Sequence, residues 1–222
     1  VKNKTDKNKA TANISLKEFI IKESSDKNPV GLGLENLELA FDAHNDSLML
    51  GFNWNDVSLD DKNKGSLNAM FLSKDKTGGV LHVTSSDVII NDSLWNISPT
   101  CYVNFNKNKI TFDEFDIFSG NQSVKIRGCF PKTSNDTINL EFNNLNISDF
   151  DLLTAGYGID VDGYIAGELQ LAGVSDKFTF FSDLDVNDLG VNGHVVGNAT
   201  VNASWNAPDT SIFVDAEIVR ND

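Results

Sequence analysis

Cysteine, proline and basic residues are all in short supply along these 222 residues. Two cysteines exclude a disulfide-rich scaffold and any zinc site built from four thiolates. The three histidines, His44, His82 and His194, are far apart in sequence and argue against a dense metal cluster. Eighteen Lys+Arg face 32 Asp+Glu, a net charge of −14, which argues against a nucleic-acid partner because such affinity comes from clustered cations. No apolar run approaches the roughly 18 residues that a membrane helix needs. GxSxG, P-loop, HExxH and GxGxxG signatures are all missing, so no enzyme class is indicated, no cofactor is implied and the chain is read as a non-enzyme. It opens on Val1 rather than Met, and Val1 to Asp26 holds no apolar signal core; it is therefore read as a segment of a longer protein.

Turn-forming residues are present in excess. There are 27 Asn, 24 Asp and 16 Gly, residues whose side chains, or lack of one, favour turns over helix interiors. Hydrophobic residues make up 40% and charged residues 23%, ordinary globular usage, so a core is affordable. Together these predict an all-β chain of many short strands. Residues 1–12 (VKNKTDKNKATA) have little to bury and are expected to be a disordered or linker end, with residues 13–222 forming one elongated β segment.

Period-two alternation supports this: Ile14 and Leu16; Leu37, Leu39 and Phe41; Leu48, Leu50, Phe52 and Trp54; then Val103 and Phe105. Lys107-Asn108 reads as a hairpin into Ile110 and Phe112, and the phase slip before Phe115 and Ile117 predicts a bulge at Asp113-Glu114. Gly120-Asn121 turns the chain into Val124 and Ile126, and Ser134-Asn135-Asp136 into Ile138, Leu140 and Phe142. Ser148 to Gly156 carries an N-cap residue, early acids and a terminal Gly, the pattern of a short helix. Strands resume with Leu169 and Leu171, Phe178 and Phe180, then the long alternation through Val201 and Trp205, and Pro208-Asp209 leads to Ile212 and Val214. Phe52-Asn53-Trp54-Asn55 is faintly echoed by Ala203-Ser204-Trp205-Asn206, without a strict repeat.

Acid pairs at Asp113/Glu114, Asp149/Asp151 and Asp160/Asp162 reflect the high Asp density rather than a glycosidase-like pair. Asp160-Val161-Asp162-Gly163 begins like a calcium loop, but position 12 of an EF-hand would be Leu171, so a turn is the better reading. If the strands at Cys101, Ile110 and Val124 form a meander, Cys101 and Cys129 sit at opposite ends of next-but-one strands, too far apart to bridge. Ten Asn-x-Ser/Thr sequons, from Asn3 to Asn202, accompany the Asn excess.

Four stretches from Ser86 to Val219 carry a family resemblance. They are Asp87 to Ile97 with Trp95 before Pro99; Gly120 to Gly128, ending Ile126-Arg127-Gly128; Val161-Asp162-Gly163-Tyr164-Ile165-Ala166-Gly167; and Asn187 to Gly197 leading to Trp205-Asn206. In this order they resemble the TamB family of translocation and assembly module proteins, in the AsmA-like superfamily of bacterial envelope proteins. The resemblance implies an open, taco-like β-groove with an apolar interior, in the periplasm, in a parent anchored in the inner membrane. It also implies phospholipid transport between the inner and outer membranes, with acyl chains as ligand. An outer-membrane barrel partner and barrel assembly by strand addition are the second implied role. The expected groove lining is Ile110, Phe112, Phe115, Ile117, Val124, Ile126, Ile138, Leu140, Phe142, Leu169, Leu171, Phe178, Phe180, Val201, Trp205, Ile212 and Val214. Alternation alone favours a closed sandwich core over an open groove; the resemblance reverses that preference and favours the groove. A dozen strands would make it on the order of 55 Å long.

Overall fold

A computed structural model describes residues 9–22, 32–56, 62–75, 77–107, 109–130, 136–150, 160–173, 179–206 and 211–220. Fourteen strands form one antiparallel sheet: β1 (Lys9–Lys22), β2 (Leu32–His44), β3 (Ser47–Asp56), β4 (Lys64–Asp75), β5 (Gly78–Ile90), β6 (Ser93–Ile97), β7 (Tyr102–Asn106), β8 (Lys109–Ser119), β9 (Gln122–Phe130), β10 (Thr137–Asn146), β11 (Val161–Ala172), β12 (Thr179–Val191), β13 (His194–Asn206) and β14 (Ser211–Val219). Strand order follows chain order throughout, and β6 and β7 share one lane between β5 and β8. Thirteen lanes about 4.8 Å apart give a sheet roughly 58 Å across. β1 begins at Lys9, so the last residues of the expected linker end pair with β2, Ala12 opposite Phe41.

The turn chemistry accounts for the Asn excess. Two-residue hairpin loops at Asn45-Asp46, Asn91-Asp92, Gly120-Asn121 and Asn192-Gly193 join β2–β3, β5–β6, β8–β9 and β12–β13. Asn45, Asn91, Asp92 and Asn192 adopt positive φ, which primed turns require and Asn and Asp tolerate.

Bulges crease the sheet. The expected one is present: register slips between Phe112 and Phe115, with Glu114 at φ +49°. Two more follow on alternate strands, at Asn144 in β10 and Asp188 in β12, again with positive φ. Each lies beside a pair that ends on a glycine of the next strand with positive φ: Phe112 faces Gly128, Phe142 faces Gly167 and Leu189 faces Gly197. At Gly128, Gly167 and Gly197 a Cβ would strike a neighbouring strand's carbonyl. Bulge and glycine together bend successive hairpins, and followed through the register to β11 the bulges step from Gln170 to Ala166 to Gly163.

The expected helix is a single 3-10 turn, Ile147–Phe150, because Asp149 turns back into the sheet end instead of continuing a helical ladder; residues 151–156 of that expectation lie outside the described residues. Of Asp160-Val161-Asp162-Gly163, the last three open β11 and do not form a turn, Asp162 pairing with Gly190 and Gly163 lying opposite the β12 bulge. The Ser134-Asn135 turn also lies outside the described residues.

Candidate functional site: a one-sided apolar floor

Antiparallel partners share a sheet face, so the registers decide which side chains lie together. Ile110, Phe112, Phe115 and Ile117 of β8 share a face with Ile126 and Val124 of β9. These face Leu140 and Phe142 of β10, which with Ile138 face Leu169 and Leu171 of β11. Leu171 pairs with Phe180 of β12, and Val201 and Trp205 of β13 meet Ala216 and Ile212 of β14, with Val214 on the same row as Ile212. All the expected lining residues therefore lie on one face except Phe178, which is outside the described residues. Floor positions of β8 to β14 in these registers carry no charged side chain.

Sequence reasoning missed floor residues that the bulges hide. Leu145 follows Phe142 by three, and Leu189 follows Val186 by three; both pairs share the face because a bulge residue is inserted between them. Ile165, Leu184 and Ala199 join them through their partners. The face continues through Phe105 and Val103, Leu81 and Val83, and Phe71 and Ala69, to Leu48, Leu50, Phe52 and Trp54. Rings tile it: Phe112–Phe115 and Phe71–Phe105 meet edge-on, with centroids 5.9 and 6.1 Å apart, and Phe52–Trp54 lie 4.8 Å apart.

Burial shows that this face is concave and open. Trp95, Val83 and Ile138 are 3–4% exposed, which a flat single-layer sheet does not allow, so the sheet wraps its apolar side. It does not close. Among the described residues Cys101 alone is fully buried, and most floor residues stay partly exposed. The opposite face is mixed and wet: Asn53, Arg127, Glu168, Asp183 and Asp185 are exposed on it, and so are Met49, Leu72, Leu94, Phe181 and Phe213.

The strand ends form two rims. The first gathers the β2–β3, β4–β5, β7–β8, β9–β10, β11–β12 and β13–β14 connections; the second gathers those between β3–β4, β5–β6, β8–β9, β10–β11 and β12–β13. Side chains strap the second rim. Asn63 donates to Asp56 (2.9 Å), and its side-chain oxygen accepts from the Asn91 amide (3.0 Å). Asn91 Nδ2 donates to the Ser148 carbonyl (3.0 Å), and Ser148 Oγ to Asp162 (3.1 Å). Buried Asp149 accepts from Ser93 Oγ (3.1 Å) and Gln122 Nε2 (2.9 Å). Asn192 then accepts from the Asp160 amide (3.0 Å). The first rim has bonds between hairpins too: Ser73 N donates to the Asp46 carbonyl (2.7 Å) and Lys109 to Asp136 (2.9 Å).

Both cysteines are free thiols. The meander holds and Cys101 immediately precedes β7, but it is not at the far end of the meander from Cys129: β6 precedes β7 in the same lane, so Cys101 sits at mid-lane, in the break around Pro99. Its sulfur accepts from the Asp116 amide (3.0 Å) beside the Glu114 bulge. The width of β8 separates the thiols. Desolvation raises the Cys101 pKa above its ordinary value. His82, expected to be a plain sheet residue, stacks on Tyr102 and donates to the Pro99 carbonyl across that break. Among the described residues no three His, Cys, Asp or Glu are placed to hold a metal, and no helix is long and apolar enough to cross a membrane.

The fold and floor thus define a single-sheet β-groove: one long antiparallel meander, creased across its strands, with an apolar inner face. No protein-family model, curated protein or solved structure matches the chain.

Proposed function

We propose that this chain is a periplasmic stretch of an inner-membrane-anchored envelope protein and that its floor carries phospholipid acyl chains between the two membranes. The single observation that carries the reading is the floor itself: continuous, uncharged from β8 to β14, and left partly exposed. Burying an acyl chain contributes about 0.8 kcal/mol per CH2, and a floor without a fixed polar partner holds tails without stopping their sliding. The protein acts here as a conduit and not as an enzyme.

A second reading has its own support. Among the described residues β1 and β14 leave one edge each unpaired, and every described side chain of both is exposed, including Ile14, Leu16, Ile212 and Val214. Such edges suit strand addition by an unfolded outer-membrane barrel protein.

Native mass spectrometry of the gently purified protein, with lipid extraction of the same sample, tests the first reading. Bound phospholipid on folded protein is expected. Its absence after incubation with lipid would overturn transport, and capture of barrel-strand peptides by that lipid-free protein would establish the second reading.

A further inference from the structure

The floor is not equally open along its length. On the inner face one row crosses four neighbouring lanes: Trp54 of β3 faces Gly65 of β4, Gly65 faces Val88 of β5, and Val88 faces Trp95 of β6. The row spans about 14 Å. Trp54 uses the space that Gly65 leaves, since a Cβ there would strike the indole, so its ring lies across β4 towards β5. At the other end Trp95 is 3% exposed; near it Val83, Val103 and Ala69 are 4–6% exposed and Cys101 is fully buried. A side chain standing on a single layer has neighbours beside it and water above it. A tryptophan, with roughly 150–250 Å² to hide, is buried there only where other groups lie over it.

Beyond β7 the same face is built differently. β8 and β9 bury none of their residues, although Phe112, Phe115 and Ile126 stand on their floor side. Among the described residues of β10 to β13 the buried apolar side chains are Ile138 and three beside the creases, Leu145, Val186 and Ala199. No aromatic ring is among them, and every residue of β14 is exposed. The stretch from β3 to β7 is thus filled by its own rings, Phe71 settling over Gly79 as Trp54 does over Gly65. The stretch from β8 to β14 leaves its floor open to a guest.

We propose that Trp95, backed by Trp54, is a stop that ends the lipid-bearing part of the groove. Acyl tails lie on the floor from β8 to β14, and the floor from β3 to β7 takes them only when Trp95 leaves its place. The proposal rests on the transport reading and adds to it where the tails lie and which side chain they must displace to pass.

The chain's three tryptophans are the probes, Trp205 on the open floor and Trp54 and Trp95 at the stop. The whole chain is loaded with phosphatidylcholine brominated along its acyl chains, and its emission is compared with that of the same protein loaded with the unbrominated lipid. Trp54→Phe with Trp95→Phe reports Trp205, whose emission should fall about twofold or more, because bromine quenches a ring that it touches. Trp54→Phe with Trp205→Phe reports Trp95, whose emission should not change. Trp54 should be insensitive to bromine in Trp95→Phe with Trp205→Phe, which keeps a ring at the stop, and quenched in Trp95→Ala with Trp205→Phe, which removes it; Trp95→Val replaces the alanine if that variant does not fold. Quenching of Trp95 as strong as that of Trp205, or a Trp54 that stays insensitive in the folded alanine or valine variant, overturns the stop while leaving transport standing. So does an insensitive Trp205 in protein from which lipid is extracted, since the tails then lie elsewhere. No extractable lipid overturns transport as well.

Discussion

Leu140→Asp and Ile138→Asp, two residues apart on one strand and one face, separate an open groove from a closed core. Leu140 faces Ile126 and Leu169 and is partly exposed; Ile138 faces Gly128 and Leu171 and is 4% exposed. Full burial of a leucine stabilises by about 1.5–3 kcal/mol, so a partly exposed one forfeits about half of that. A carboxylate at 140 keeps its water, and the expected total loss is about 2 kcal/mol. At 138 the same carboxylate is buried without a partner and should cost about 4–5 kcal/mol. Urea unfolding followed by fluorescence of Trp54, Trp95 and Trp205 measures both, with an unchanged m-value as the condition for comparison. Equal losses above about 4 kcal/mol at the two sites would mean a closed core and refute the argument. So would negligible losses at both, which would mean that this face is not packed. In the folded Leu140→Asp protein, bound lipid should fall sharply; undiminished binding would sink the conduit.

Gly167→Ala should destabilise the sheet by about 3 kcal/mol in the same assay, because φ is +128° and the new methyl strikes the backbone of Asp183 and Leu184. Gly120→Ala, at φ +58° with open space around it, should cost only about 1 kcal/mol. Iodoacetamide should label Cys129 in the native protein and Cys101 only after unfolding. Because the Cys101 pKa is raised in the folded state, its contribution to stability is complete below the thiol's unfolded value near 9 and is lost as pH rises through the folded value. Cys101→Ala should therefore flatten the alkaline fall in the urea midpoint, and an unchanged fall would contradict it.

Much of this was legible in the sequence because a half-buried strand writes its geometry as alternation. The hairpin turn at Gly120-Asn121, the hairpin that pairs Asn106 with Lys109, the Asp113-Glu114 bulge and the shared face of Ile126, Leu140 and Leu169 all follow from period two. The bulges at Asn144 and Asp188 were not read, because a single inserted residue looks like the end of a strand when the next apolar residue is also three away. β4 escaped notice because Met70 and Leu72, on its outer face, blur the alternation of Leu67, Ala69 and Phe71. The strap on the second rim had no local signature: Asp149, Ser93 and Gln122 are brought together only when their hairpins lie side by side. The position of Cys101 was misjudged because one lane is built from two strands, and the break at Pro99 reads in sequence as an ordinary end.

Strand order that follows chain order has a consequence for how the molecule comes into being. Every lane pairs only with what was made just before it and just after it, so few long loops have to close before contacts form. Growth is therefore directional: each hairpin finds its template already standing, and the sheet can lengthen from one end as chain is delivered. Stability in such an array approaches a sum of neighbour terms, as in solenoids, and not an all-or-none property of one centre. A hairpin inserted or deleted would change the span by about 9.6 Å and leave the cross-section as it was, which makes length the property that evolution can adjust most freely.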